Sequence, residues 1–162
     1  MRAPPSRALV ALTLVAVALA PGAAAHAQRS APTAPAAPAA MSPRSLLIHI
    51  TAGPNDPTRA ALGFNVAKAA VDEGHRVTIF LAGDGVQLLR DGVLASLVGL
   101  GTGTLKELYD GFVAKGGRLV VSGGSAKARG VTEADLAGKP AEFGGPPQLV
   151  KLALEHDRVI TY

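Results

Sequence analysis

Ser45-Leu-Leu-Ile-His-Ile-Thr51, followed by Ala52-Gly-Pro-Asn-Asp-Pro57, decides how the rest of the chain is read. The first run is short, mostly apolar and closed by turn formers, the pattern of a strand buried on both faces. Asp56-Pro57 then supplies an N-cap and a proline at the first helical position, where its missing N–H has no intrahelical partner to lose. The helix opened there carries Leu62, Phe64, Val66, Ala67, Ala70 and Val71 and stops at Gly74.

The same alternation continues downstream. Arg76-Val-Thr-Ile-Phe-Leu81 reads as a second strand and Asp84–Asp91 as a short helix, with a loop over Gly92–Gly103 that holds a helical turn at Leu94–Leu97. Thr104 opens the clearest helix: Glu107 stands at capping-box spacing, and Leu105, Leu108, Tyr109, Phe112 and Val113 repeat with a helical period. Arg118–Ser122 is the third strand, Thr132–Leu136 a short capped helix, Ala141–Phe143 a fourth strand, Pro147–Glu155 a last helix and Arg158–Tyr162 a fifth strand. Such alternation with short connections predicts an α/β fold, a mostly parallel sheet of five strands with helices on both faces. Ligands of parallel sheets bind beyond the carboxyl ends of the strands. That rule selects the loops Ala52–Asp56, Ala82–Gly85, Gly123–Gly130 and Gly144–Pro147, each of which contains glycine.

Working outward to the amino terminus, Arg2 and Arg7 precede the apolar stretch Ala8–Ala20, which Pro21-Gly22 break before a small-x-small site at Ala25-His26-Ala27. This is the pattern of a cleavable signal peptide over residues 1–27, and the stretch is shorter than the roughly 20 apolar residues of a membrane span. The expectation is a periplasmic or secreted protein with no stable membrane anchor after cleavage. Residues 28–43, rich in Ala and Pro, read as an extended linker. The body, residues 44–162, is long enough for one modest core.

The 162-residue chain carries 16 Lys+Arg against 12 Asp+Glu. Arg2, Arg7 and Arg29 fall before residue 44 whereas all the acids follow it, so thirteen basic residues face twelve acidic ones in the body. A nearly neutral body has no electrostatic reason to seek a nucleic acid. Zero Cys excludes disulfides, thiolate metal sites and a cysteine nucleophile from this chain. Four percent aromatics and no Trp argue against a base-stacking platform. His, Asp and Glu do not recur at metal-ligand spacing, so neither a metal nor a cofactor is expected.

Five stretches together resemble the DsrE/DsrF-like sulfur-relay family: Thr51-Ala-Gly-Pro-Asn-Asp-Pro-Thr-Arg-Ala60, Gly74-His-Arg-Val-Thr-Ile-Phe-Leu-Ala-Gly-Asp-Gly85, Leu105-Lys-Glu-Leu108, Gly117-Arg-Leu-Val-Val-Ser-Gly-Gly-Ser-Ala-Lys-Ala-Arg-Gly130 and Asp157-Arg-Val-Ile-Thr-Tyr162. The resemblance covers residues 45–162. It implies a three-layer α/β/α fold with a five-stranded sheet and assembly into trimers or hexamers. It also implies, for members with the active cysteine, sulfur carried as a persulfide on the loop after the third strand.

The departure falls on that loop. Where related sequences often show Cys-x-x-Cys before Ala-Lys-Ala-Arg-Gly, this chain has Ser122-Gly-Gly-Ser125. A thiol ionises near pH 8.5, and lower at a helix N-terminus, whereas a serine hydroxyl has no comparable ionisation and cannot hold a transferable sulfur. Serine as the nucleophile would need a base. His75 and His156 fall at the amino edge of the sheet, which leaves His49. The bland reading of His49 is a core or interface histidine, and Gly123-Gly-Ser-Ala-Lys127 lacks the second glycine of a nucleophile elbow.

The same loop could still hold an anion through backbone N–H groups with Lys127 and Arg129, or be a tight turn with capping serines and solvated cations. Asp84 and Asn55 border it, and a cap is the plainer role for an aspartate there. Gly83-Asp-Gly85 and Gly99-Leu-Gly-Thr-Gly103 are incomplete dinucleotide fingerprints and read as turns. The expectation is a non-catalytic subunit related to sulfur metabolism, taking a small anionic or sulfur-containing ligand through Asn55, Asp84, His49, Ser122, Ser125, Lys127 and Arg129. The alternative is a subunit of a sulfurtransferase or sulfur carrier whose cysteine comes from a partner.

Overall fold

The computed structural model describes residues 42–162; the expected signal peptide and all but the end of the linker lie outside them. Its main sheet is built from β1 (Ser45–Ile50), β2 (Arg76–Leu81), β5 (Arg118–Ser122), β6 (Ala141–Gly144) and β7 (Arg158–Thr161). The five strands lie in the order β6-β5-β2-β1-β7, and every pairing is parallel. Helices α1 (Pro57–Asp72), α2 (Asp91–Ser96), α3 (Leu105–Ala114), α4 (Gly123–Arg129), α5 (Glu133–Leu136) and α6 (Pro146–Glu155) connect them. A two-residue ladder, β3 (Val98–Gly99) with β4 (Gly103–Thr104), stands apart from the main sheet.

Alternation along the strands sorts side chains to two faces. Ile48, Ile50, Val77, Ile79, Leu81, Leu119 and Val121 pack with Phe64 of α1 and Leu105 and Phe112 of α3 in the main core. Leu47, Phe80 and Val120 point the other way, against Leu149, Leu152 and Ala153 of α6. This is the three-layer α/β/α arrangement.

Local chemistry explains most of the boundaries. Asp56 caps α1 by accepting from the Arg59 N–H at 3.2 Å, with Pro57 next to it. Thr104 caps α3 through the Glu107 N–H at 3.3 Å. Asp135 accepts from the Thr132 N–H at 2.8 Å at the start of α5. Three stretches differ from the sequence expectation, and the first is Gly123–Gly130, read as a loop, in which Gly123–Arg129 form α4. Gly83–Leu89 forms a 3₁₀ helix, beginning at a Gly83 with φ of +51°. A Cβ on Gly85 would run into the Ile50 carbonyl, so the turn packs backbone against backbone on the end of β1. The segment after it, read as a loop with a helical turn at Leu94–Leu97, holds its helix slightly earlier, as α2 over Asp91–Ser96, and adds the β3–β4 ladder.

Candidate functional site

Because all five strands are parallel, the loops after β1, β2, β5 and β6 converge on one pole. Ser122 ends β5 and is the N-cap of α4, its hydroxyl accepting from the Ser125 N–H at 3.4 Å. Ser125, in the first turn of α4, accepts from the Gly83 N–H at 3.0 Å and so ties α4 to the loop after β2. Two residues that the resemblance sets at a sulfur-carrying position are therefore engaged as backbone acceptors.

Asp84 organises the other half of the pole. Its Oδ1 accepts from Arg129 Nε at 2.7 Å, and its Oδ2 from Asn55 Nδ2 at 3.3 Å. Arg129 Nη1 also reaches the Ser125 carbonyl at 3.4 Å. Arg90, which the sequence reading did not single out, donates through Nη2 to the carbonyls of Arg129 at 2.7 Å and Gly130 at 2.9 Å, closing the carboxyl end of α4. No local pattern could have found Arg90, because its partners stand 39 and 40 residues away.

Asn55, Asp84, Ser122, Ser125 and Arg129 thus form one connected network. Lys127 and His49 stand outside it. Among the described residues Lys127 has no ion-pair partner; it lines a cavity of about 310 Å³ on the flank of α4 with Ala126, Val131, Thr132 and Phe143. His49 sits opposite Phe80 in register, and Phe80 opposite Val120, two residues short of Ser122. Two strand spacings and two residues separate the His49 and Ser122 backbones by about 12 Å. A serine–histidine hydrogen bond does not form across that distance. The His49 ring meets Phe80 edge-on with centroids 5.9 Å apart, and its Nε2 is buried without a partner. Burial holds its imidazole below the ordinary histidine range.

His75 and His156 lie at the opposite pole: His75 Nδ1 accepts from the Arg44 N–H at 3.3 Å, and His156 Nε2 contacts Thr78 Oγ1 at 3.2 Å. Among the described residues no group of three His, Asp or Glu side chains could hold a metal ion. A cavity of about 400 Å³ lies between α6 and β5–β6. Its polar groups answer one another, Glu142 accepting from Arg118 at 3.3 Å and from Gln148 at 3.2 Å.

The fold and this pole define a class: a three-layer α/β/α protein with a parallel sheet and a serine-capped helix at the carboxyl edge. The chain belongs to the DsrE/DsrF-like family, whose family model matches residues 44–162. Solved structures agree in fold. The YchN protein of E. coli aligns with a TM-score of 0.59 at 16% identity, over 75% of this chain and 100% of that one. BT1422 of Bacteroides thetaiotaomicron, described as a conserved protein of unknown function, aligns at 0.52 and 15% identity, over 74% and 95%. No curated protein sequence matches the chain.

Proposed function

We propose that this chain is an exported, non-catalytic member of its family, a subunit that assembles with copies of itself and binds a small anionic or sulfur-containing ligand at the carboxyl pole. The observation that carries this reading is the state of the two serines. Ser122 and Ser125 occupy the loop where a reactive thiol would be needed, and both hydroxyls accept backbone N–H groups. Among the described residues neither hydroxyl is hydrogen-bonded to a base that would raise its nucleophilicity. Of the two cations on this loop, Lys127 is the one available to a ligand, because Arg129 is already neutralised by Asp84. Apart from Thr132, the side chains that line the cavity on the flank of α4 with Lys127 are apolar, so a compact anion with an apolar or polarisable body suits it best.

Export rests on the charged, apolar and small-residue pattern of residues 1–27. Among the described residues no helix is long and apolar enough to cross a membrane.

The test uses the full chain with labelled thiosulfate and a thiol acceptor. No transfer of sulfane sulfur is expected, while thiosulfate or sulfite should raise the melting temperature of the wild type and not of Lys127→Ala. Sulfur transfer by the chain alone would refute the non-catalytic reading.

A second reading is a sulfurtransferase subunit whose cysteine comes from a partner. One observation favours it: the first turn of α4 is open, with nothing within 4 Å of a Cβ built on Gly124. A partner's residue could approach the backbone there. Co-purification with a cysteine-bearing protein and transfer only in the mixture would support it.

A further inference from the structure

The two faces of the sheet are covered unequally. Five strands spaced about 4.8 Å apart make a sheet about 20 Å across, and a helix with its side chains is about 10 Å wide. One face receives both α1 and α3. The other receives α6, whose inward contacts are Leu149, Leu152 and Ala153 on Leu47, Phe80 and Val120. No residue of α6 is fully buried. Val150 and Leu154, one turn apart on this helix, are 58% and 82% exposed, and Val159 of β7 is 47% exposed. Val159 is in register with Leu47 and therefore lies on the face that α6 covers incompletely.

We propose that the outer flank of α6, with the adjoining strip of β7, is a self-association face, and that its occupant is a second copy of this chain related by a two-fold axis. This rests on the self-association reading given above and names the surface for it. The charges of α6 choose the occupant. The helix carries two, Lys151 and Glu155, one turn apart as Val150 and Leu154 are. Antiparallel packing about a two-fold exchanges the ends of each pair, because residue i of one copy meets j of the other and j meets i. Val150 then faces Leu154 and Lys151 faces Glu155, apolar against apolar and cation against anion. Within one chain the Lys151–Glu155 contact is long, 3.9 Å, and exposed, so exchanging it between copies sacrifices little.

Sedimentation of the full chain over a range of concentrations tests this, with thermal melting as the control for folding. The wild type should associate, and Leu154→Glu should weaken association at least tenfold with melting unchanged within a few degrees. Lys151→Glu and Glu155→Lys should each weaken it several-fold, and the double variant should restore it. This charge cycle reads α6 alone, whatever the amino-terminal apolar stretch contributes. A wild type that stays monomeric overturns both this proposal and the self-association reading. Association that ignores these substitutions, or that the double variant fails to restore, overturns this surface and leaves self-association standing.

Discussion

Arg129 Nε donates to Asp84 Oδ1 at 2.7 Å across 45 residues of sequence, which makes the second cation of the β5–α4 loop a brace within the fold. Both side chains keep about a third of their surface, 31% and 39%, so solvent screens the pair. Exposed pairs contribute up to about 1 kcal/mol, and this one gains from its backbone contact to Ser125. Asp84→Asn should therefore lower the melting temperature by about 3–6 °C. It should also tighten anion binding by freeing the guanidinium. Calorimetric melting and an anion titration check both; a variant that melts as the wild type does would show that the brace contributes nothing.

Lys127 and Arg129 should separate in mutagenesis although they are neighbours in sequence. Lys127→Ala removes an exposed, unpaired cation, so melting should stay within about 0.5 kcal/mol of wild type while sulfite or thiosulfate binding weakens. Arg129→Ala leaves Asp84 without its cation and should cost about 1 kcal/mol or more. Equal effects of the two on stability would contradict this division.

His49 predicts a loss of stability on acidification. Burial lowers its proton affinity in the folded state, so below the ordinary histidine pKa of about 6.5 the unfolded chain binds a proton that the folded chain resists. The contribution is fully present above that pH and fades as pH falls below it. His49→Phe keeps a ring against Phe80 and removes the partnerless Nε2, so it should flatten the profile between about pH 7 and 5 and raise stability at the acid end. Urea unfolding at several pH values measures this, and a wild-type profile flat over that window would refute it.

Asp157 acts lower on the pH scale. Its carboxylate accepts from both the N–H and the hydroxyl of Ser45 at 2.8 Å, and these contacts hold it below the usual carboxylate range. A depressed carboxyl pKa stabilises the fold above the unfolded value near 4, and that stability is lost as pH falls through the folded value. Asp157→Asn should be less stable than the wild type at pH 7 and nearly equal to it once the wild-type carboxyl is protonated. A difference independent of pH would assign the effect to packing instead.

The thiol-free loop also permits a gain-of-function comparison. Ser125→Cys places a weaker hydrogen-bond acceptor opposite the Gly83 N–H and a thiol at the first turn of α4. It should melt a few degrees lower and react with a thiol reagent, whereas the wild type has no cysteine to label. A variant as stable as the wild type would mean that the Ser125 contact is not needed to hold the loop after β2.

Most of the architecture was legible in the sequence because its signals are local. Two strands, Arg76–Leu81 and Arg118–Ser122, have the expected bounds, since each holds a mostly apolar run that is buried on both faces. The caps at Asp56, Thr104 and Thr132 announced helices through side chains that bind backbone a few residues on. Convergence of the loops at one pole followed from parallel strands alone. The stretch after Gly92 was less legible, because two-residue strands and a six-residue helix are too short to show a period.

What only the tertiary structure decided is the state of each polar group at the pole. Nothing near Arg129 in sequence distinguishes it from Lys127, yet one is braced by Asp84 and the other is free. His49 stands beside Phe80 and two strands away from Ser122 because strand register, a relation between distant segments, sets its neighbours. Hydrogen bonds and ion pairs act over about 3 Å, so their partners are chosen by how the chain packs in space. Periodicity along the chain determines which elements form, and it carries no information about which side chains those elements finally bring together.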